Sequence, residues 1–258
     1  MPFVTFEDRG PIRWLTMSAP GRKNAIPPGG WEELAEAFES FSASPQRVLV
    51  VRGDGGDFCA GADLGRDAGD VASAAANAER MRAPNAAAQA LFRLSKPTIA
   101  AVDGVAVGAG MNLALGCDIV VATDRARFAE IFVKRGLTVD FGGTWLLPRL
   151  VGLAKARELS LTGRMVGAEE ALALGMIGNV VAPEDLEDAV ASIAVELAAG
   201  APLAQRFIKA GLARATTLSF EQALAWEAQA QAVLLGSEDV REGAAAFLEK
   251  RDPRFEGH

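Results

Sequence analysis

Nearly uninterrupted apolar runs constrain the fold more than any other feature of this sequence. They occupy residues 48–51, 98–102 and 118–122, and the segments between them carry helical spacing or glycine-rich turns. Runs of this kind are typical of strands that are buried on both faces of a parallel sheet. Parallel neighbours require long crossover connections, which are usually right-handed and helical. The alternation therefore predicts an α/β fold built from βαβ units.

The flanking segments complete this prediction. Strands are expected at 3–6 and 12–17, and a helix follows the 27–30 breaker because Trp31, Leu34, Phe38 and Phe41 recur at helical spacing. The other predicted elements are an Ala-rich helical stretch at 71–94 broken at Pro84, a glycine-rich turn at 104–110, a helix at 111–115, and helix from 144 to 250 except for an apolar run at 177–181.

Composition limits the class of protein. The 258 residues are 50% hydrophobic and 23% charged, which is enough for one substantial core. A formal net charge of −7 argues against nucleic acid as a general partner. The first residues lack the basic and apolar stretches of a signal peptide, and no apolar run reaches the ~20 residues of a membrane span. We therefore expect a soluble, cytoplasmic protein.

The inventory of reactive side chains excludes several mechanisms. The single histidine is His258, at the end of the sequence, and tyrosine is absent. Cys59 and Cys117 stand alone, without the ligand spacing of a metal site or the pairing of a disulfide framework. We expect no metal, and we expect carboxylates to move protons, with water, lysine and cysteine as weaker candidates.

Two segments are rich in glycine and alanine, at 58–64 and at 104–112. Small residues let a ligand approach backbone N–H groups, and the start of a helix favours a negative charge. Either segment alone is most often an ordinary tight turn, so the pair is more informative than each member. A dinucleotide-binding turn is excluded because the third glycine position of that motif is Leu113.

Together the two segments resemble the motifs of the crotonase, or enoyl-CoA hydratase/isomerase, superfamily. The matching strings are FCAGADL at 58–64 and KPTIAAVDGVAVGAGMNLALGCDIVVA at 96–122, and the likeness continues through Gly142, Gly143 and Thr144 to the tail at 241–251. This resemblance implies a ClpP/crotonase-like α/β fold of repeated ββα units. It also implies a core at 1–195, a helical region at 196–258 for oligomerisation and active-site cover, and a homotrimer or dimer of trimers.

The same resemblance implies an acyl-CoA thioester substrate, with coenzyme A as part of the substrate and no separate cofactor. The backbone N–H groups of Ala62 and Ala109 would form an oxyanion hole. For Arg22 and Lys250, an ordinary solvated side chain without a role in binding is an alternative interpretation. The residues implied in binding the acyl-CoA are Arg22, Ala60, Asp63, Leu64, Gly108, Asn112, Phe132 and Lys250.

The chain departs from typical hydratases of this superfamily, which use two glutamates. Asn112 and Phe132 occupy the positions of those glutamates, and neither side chain can shuttle a proton. A different carboxylate, Asp140, precedes the string GGTWLLPR. This arrangement resembles the ring-1,2-epoxyphenylacetyl-CoA isomerase branch, which implies that Asp140 performs the acid/base work in a pocket of Phe132, Phe141 and Trp145.

Alternatives remain open at both acidic positions. Asp140 is also a good N-cap for a helix that starts near Gly142. Glu130 alternates with Phe128 and Phe132, so it could approach the pocket, although a solvated or ion-paired surface carboxylate is the favoured interpretation. Three functions follow: an acyl-CoA isomerase using Asp140, a hydratase using Glu130 with Asp140, or an acyl-CoA binder without turnover.

Overall fold

A six-stranded mixed sheet forms the centre of the protein. The computed structural model describes residues 2–65 and 73–258. The sheet has the order β1-β2-β3-β4-β6-β9, in which β1 is antiparallel to β2 and the other neighbours are parallel. The strands of the protein are β1 (Val4–Arg9), β2 (Ile12–Met17), β3 (Val48–Gly53), β4 (Thr98–Val102), β5 (Val105–Val107), β6 (Ile119–Thr123), β7 (Arg127–Ala129), β8 (Val166–Gly167) and β9 (Asn179–Val181).

Helices cover both faces of this sheet, which explains the uninterrupted apolar runs. In β3, Val48 and Val50 point to one core cluster, and Leu49 and Val51 point to the other. The helices are α1 (Gly30–Ala43), α2 (Ala74–Arg80), α3 (Arg82–Phe92), α4 (Ala109–Leu115), α5 (Gly143–Thr162), α6 (Ala168–Ala173), α7 (Leu186–Ala199), α8 (Pro202–Arg214), α9 (Phe220–Leu234) and α10 (Glu238–Glu249). Helix α7 covers the Val48 face, and α1, α3 and α4 cover the opposite face.

A second, smaller sheet positions the glycine-rich segments. Strand β5 pairs in parallel with β7, and β7 pairs antiparallel with β8. Strand β5 follows β4 after only two residues, so the chain passes directly from the large sheet to the small one. The small sheet therefore places the start of α4 beside the segment that follows β7.

The predicted fold class is confirmed, but several predicted boundaries are wrong. The segment 104–110, predicted as a turn, contains the short strand β5. This strand pairs with β7 and with Cys59. The Ala-rich stretch breaks at Met81, and Pro84 is buried in the first turn of α3, where a backbone N–H has no intrahelical partner. Residues 71 and 72 of that prediction lie outside the described residues.

The long helical region predicted from 144 to 250 is also more divided than expected. It contains the unexpected strand β8, and α5 is kinked at Gly152, which has a φ of 75°. Strand β9 lies within the apolar run that was excepted at 177–181. A two-residue strand gives no periodic signal, so β8 could not be recognised from the sequence. The predicted division after residue 195 stays a prediction, and that residue falls inside α7.

The last three helices leave large apolar side chains exposed. Ile208, Leu212, Phe220 and Phe247 each keep more than half of their surface accessible. The arm that follows α10 is fixed to the core, because the Arg47 guanidinium donates to the carbonyls of Ala198 and Phe255 at 2.7 and 2.6 Å. Among the described helices, none combines the length and hydropathy needed to cross a membrane.

Truncation of a strand residue tests the central sheet. Leu49→Ala removes a side chain with no exposed surface, and we expect a loss of about 2–5 kcal/mol in the free energy of unfolding. Leu161→Ala makes the same change at a side chain that is 74% exposed, so its effect should stay within about 0.5 kcal/mol. Urea unfolding of both variants measures the difference, and equal losses would contradict the assigned core.

Candidate active site

The two glycine-rich segments bond directly to each other. The N–H of Cys59 donates to the carbonyl of Val105 at 2.8 Å, and the N–H of Val107 donates to the carbonyl of Cys59 at 3.0 Å. A Cβ atom on Gly110 would lie 2.3 Å from the Cys59 carbonyl oxygen, so no larger residue fits there. The absence of a side chain at Gly110 thus lets helix α4 start against the 58–64 segment.

In this arrangement two backbone N–H groups, those of Ala62 and Ala109, have no acceptor among the described residues. The residues on either side of Ala62 bond to Ile26. The Ile26 N–H donates to the Gly61 carbonyl at 2.8 Å, and the Asp63 N–H donates to the Ile26 carbonyl at 2.9 Å. Ala109 is the first residue of α4, where the helix offers no acceptor. Within the described part of the chain, no protein oxygen accepts from either N–H.

These two free N–H groups are close in space. The position that a Cβ would take on Gly61 lies 3.5 Å from the backbone nitrogen of Ala109. Gly108 turns the chain between β5 and α4 with a φ of 56°, which favours glycine, and its N–H donates to Ala129 at 2.8 Å. Paired N–H donors at a helix start are suited to holding a developing oxyanion.

Asn112 connects this pair of donors to Asp140. It lies three residues after Ala109 on α4, so both residues share one face of the helix. The Asn112 side chain has no exposed surface, and its Nδ2 donates to the Asp140 carbonyl at 2.9 Å. A Cβ on Gly143 would lie 2.3 Å from that Nδ2, so glycine at 143 makes room for the amide.

Asp140 does not cap helix α5, so that alternative is wrong. The N-cap of α5 is Gly142, which makes no side-chain bond, and the Asp140 Oδ1 is buried without a partner among the described residues. Between them Phe141 adopts a left-handed φ of 50°, a strained conformation for a bulky residue. Burial raises the pKa of Asp140 to about 6.

Glu130 is buried, which contradicts the favoured interpretation as a surface carboxylate. Only 1% of its surface is accessible, and it directly follows β7. Its Oε2 lies 3.4 Å from the Asn112 Nδ2. Burial, countered in part by this hydrogen bond and reinforced by the Asp140 charge, raises the pKa of Glu130 to about 8. The alternation of Phe128, Glu130 and Phe132 indicated that Glu130 could approach the pocket, but not how deeply its side chain is buried.

Three aromatic residues flank Asp140 in the chain. Phe141 packs on Trp31 with 5.7 Å between ring centroids, and Trp145 meets Phe92 edge-on at 5.2 Å. Phe132 is 7% exposed, and its ring lies against Gly108. That these rings line a pocket around the Asp140 carboxyl stays a prediction.

The predicted coenzyme A contacts are divided between two surfaces. Arg22 and Asp63 meet in an ion pair, with Arg22 Nη1 2.6 Å from Asp63 Oδ1, beside the exposed Leu64 and the half-buried Ala60. Lys250 is exposed and ends α10 in a left-handed conformation, on the C-terminal arm. Each of these contacts with coenzyme A stays a prediction.

The cysteines are unsuited to nucleophilic chemistry. Burial raises the pKa of both the Cys59 and the Cys117 thiol to about 12, so both remain protonated near neutral pH. Cys59 contributes through its backbone, as described above, and its Sγ accepts from the Gly61 N–H at 3.4 Å.

The sequence did not reveal Asn24, which supports the first glycine-rich segment. Its side chain is 3% exposed and donates to the carbonyls of Asp54 and Asp57 at 2.8 and 2.7 Å. Its φ of 55° lies in the left-handed region, which asparagine tolerates better than most residues.

Known proteins are similar to this chain over nearly its whole length. Residues 7–258 match the family model for enoyl-CoA hydratase/isomerase. The chain belongs to the enoyl-CoA hydratase/isomerase family. It is 38% identical to a 1,2-epoxyphenylacetyl-CoA isomerase of Escherichia coli, covering 100% of this chain and 99% of that protein. It is 37% identical to a probable enoyl-CoA hydratase of Rhodobacter capsulatus, covering 98% of both chains.

Solved structures agree with this family assignment. The crystal structure of an enoyl-CoA hydratase from Polaromonas superposes with a TM-score of 0.93 at 33% identity, covering 98% of this chain and 99% of that one. The predicted superfamily and crotonase fold are therefore confirmed. The relatives carry the names of both isomerases and hydratases, so membership of the enoyl-CoA hydratase/isomerase family does not choose between the two reactions.

The buried Glu130 makes stability depend on pH. Its pKa is 4.5 when unfolded and about 8 when folded, so between these values the unfolded chain releases a proton that the folded protein retains. Stability therefore falls as pH rises through this window, by up to about 1.4 kcal/mol per pH unit. Asp140, with a folded pKa of about 6, contributes to this loss of stability mainly below pH 6. Glu130→Gln should therefore flatten the fall in stability between pH 6 and 8.

Thermal unfolding in a pH series measures this effect. The matched control is Glu196→Gln, which removes an exposed glutamate from α7 and should reproduce the wild-type slope. A Glu130→Gln slope that equals the wild-type slope would contradict the assigned burial of the Glu130 carboxyl.

Proposed function

We propose that this protein is an acyl-CoA isomerase in which Asp140 moves a proton along the acyl chain. One observation carries the proposal: Asn112, on the same face of α4 as the free Ala109 N–H, donates to the main-chain carbonyl of Asp140, whose side chain is partly buried. This bond joins the segment that carries the base to the helix that begins with one N–H of the oxyanion hole.

The oxyanion hole would act on the thioester carbonyl. As a proton leaves the α carbon, negative charge develops on the carbonyl oxygen, where the N–H groups of Ala62 and Ala109 donate to it. Donors of this kind contribute about 3–4 kcal/mol each to the transition state.

Asp140 would remove that proton and return it to a different carbon, which leaves the mass of the substrate unchanged. A carboxyl with a pKa of about 6 is ionised at neutral pH and is still a stronger base than an ordinary aspartate. Since the ionised form is the base, the rate should rise with pH through about 6.

Hydration is the second candidate, because Glu130 is a second carboxyl in the same cluster. A hydratase needs that group to contact a water molecule beside the double bond. Glu130 is 1% exposed and lies behind Asn112, whereas Asp140 is partly exposed. This enclosure favours isomerisation by Asp140 alone over addition of water by the pair.

Substitution of Asp140 tests the proposal. Asp140→Asn keeps the shape of the side chain and removes the base, so isomerisation should fall by about a hundredfold to ten-thousandfold. Asp188→Asn, at an exposed position on α7, is the matched control and should retain full activity. Incubation with a 3-enoyl-CoA, crotonyl-CoA and a ring-epoxide acyl-CoA, followed by mass spectrometry, measures the products.

Each product identifies one function. Conversion of the 3-enoyl-CoA or the epoxide at constant mass supports the isomerase, and a gain of one water identifies a hydratase. Binding of all three thioesters without conversion identifies a non-catalytic binder. Full activity of Asp140→Asn would exclude Asp140 as the base.

We further propose that α8–α10 associate between copies of the chain, as a homotrimer or dimer of trimers. The exposed apolar side chains of these helices, which include Leu212 and Phe247, support this proposal. Light scattering coupled to size-exclusion chromatography should give a multiple of three chains. Charged substitutions, Leu212→Glu with Phe247→Glu, should lower the mass, and a wild-type monomer would contradict the proposal.

A further inference from the structure

We propose that Asn112 and Glu130 are positioning residues for Asp140: Asn112 holds the Asp140 main chain, and Glu130 holds the Asn112 amide. The inference rests on the proposed role of Asp140 as the base. It assigns functions to two buried polar side chains that the proposed reaction does not itself use.

The first contact is the one from Asn112 to the Asp140 backbone. The segment before α5 passes through left-handed residues at Phe141 and Gly142, so its own helix does not fix its path. The Asp140 carbonyl instead accepts from the Asn112 Nδ2 at 2.9 Å and from the Gly143 N–H at 3.0 Å. Asn112 therefore ties the base to the helix that begins the oxyanion hole.

The second contact orients the amide. An asparagine amide can rotate by half a turn and exchange its donor for its acceptor. The Glu130 Oε2, at 3.4 Å from the Asn112 Nδ2, accepts from the amide in the orientation that also serves Asp140, and so favours that orientation. Glycine at 143 leaves room for the amide but supplies no polar side chain that could replace Glu130.

The position of Glu130 separates this role from direct catalysis. Its carboxyl is enclosed behind Asn112, and the groups of the described residues that act on its ionisation are Asn112 and Asp140. A neutral carboxyl accepts from Asn112 without placing a second negative charge near the enolate. When Glu130 ionises above about pH 8, its charge opposes both the ionised Asp140 and the enolate.

Three variants separate these contributions. Glu130→Gln keeps an acceptor for Asn112 and removes the ionisation, whereas Glu130→Leu removes the acceptor. Asn112→Ala removes both contacts without adding bulk beside Gly143. We expect Glu130→Gln to retain kcat within about threefold at pH 7 and to lose the decline in rate above about pH 8. Glu130→Leu and Asn112→Ala should lower kcat by about tenfold to a hundredfold through misplacement of the base.

A measurement that needs no substrate complements the kinetic measurements on these variants. Carboxyl-carbon NMR, assigned by difference from Asp140→Asn, gives the titration midpoint of Asp140 in each folded variant. The midpoint should stay at the wild-type value in Glu130→Gln and shift in Glu130→Leu and Asn112→Ala. If wild-type protein converts no acyl-CoA, the proposed function fails, and the NMR midpoints still decide the positioning role.

Two results would overturn the inference. A loss of more than about a hundredfold in Glu130→Gln, with the fold intact, would show that the Glu130 proton itself takes part in the reaction. Wild-type kcat and a wild-type Asp140 midpoint in Asn112→Ala would show that the amide does not position the base. Since Asn112→Ala introduces no bulk, it provides this test even if Glu130→Leu does not fold.

Discussion

The rest of the site depends on the backbone pairing between Cys59 and strand β5. Two hydrogen bonds, to Val105 and from Val107, hold one glycine-rich segment against the other and set the start of α4. Beside this pairing, the N–H groups of Ala62 and Ala109 have no acceptor among the residues that the structure describes. The small residues Gly61 and Gly110 permit the approach, since a Cβ at either position would contact backbone at less than 3 Å.

Buried carboxyls beside this pairing shape its chemistry at some cost in stability. Burial raises the pKa values of Asp140 and Glu130 to about 6 and about 8, so the two groups differ in charge at neutral pH. Asp140 is then available as a base, and the neutral Glu130 adds no second negative charge beside it. The difference in exposure then separates their proposed roles: Asp140 is partly exposed, whereas Glu130 is buried and accepts from Asn112.

Sequence patterns predicted the fold and part of the site. Continuous apolar runs identified the buried strands, because both faces of β3 and β4 are covered. The short strands β5 and β8 were missed, since two or three residues carry no measurable period. The supporting roles of Asn24 and Gly143 were missed for a different reason: each acts on residues distant in the chain, through contacts that local pattern cannot encode.

By itself the sequence determined the family and the glycine-rich pair, because these depend on residue identity and order. Only the tertiary structure decided that Asp140 is not a helix cap and that Glu130 is buried. Burial and charge proximity depend on packing among β7, α4 and the start of α5, which are separate in the chain. The acid/base character of these carboxyls is set by that packing.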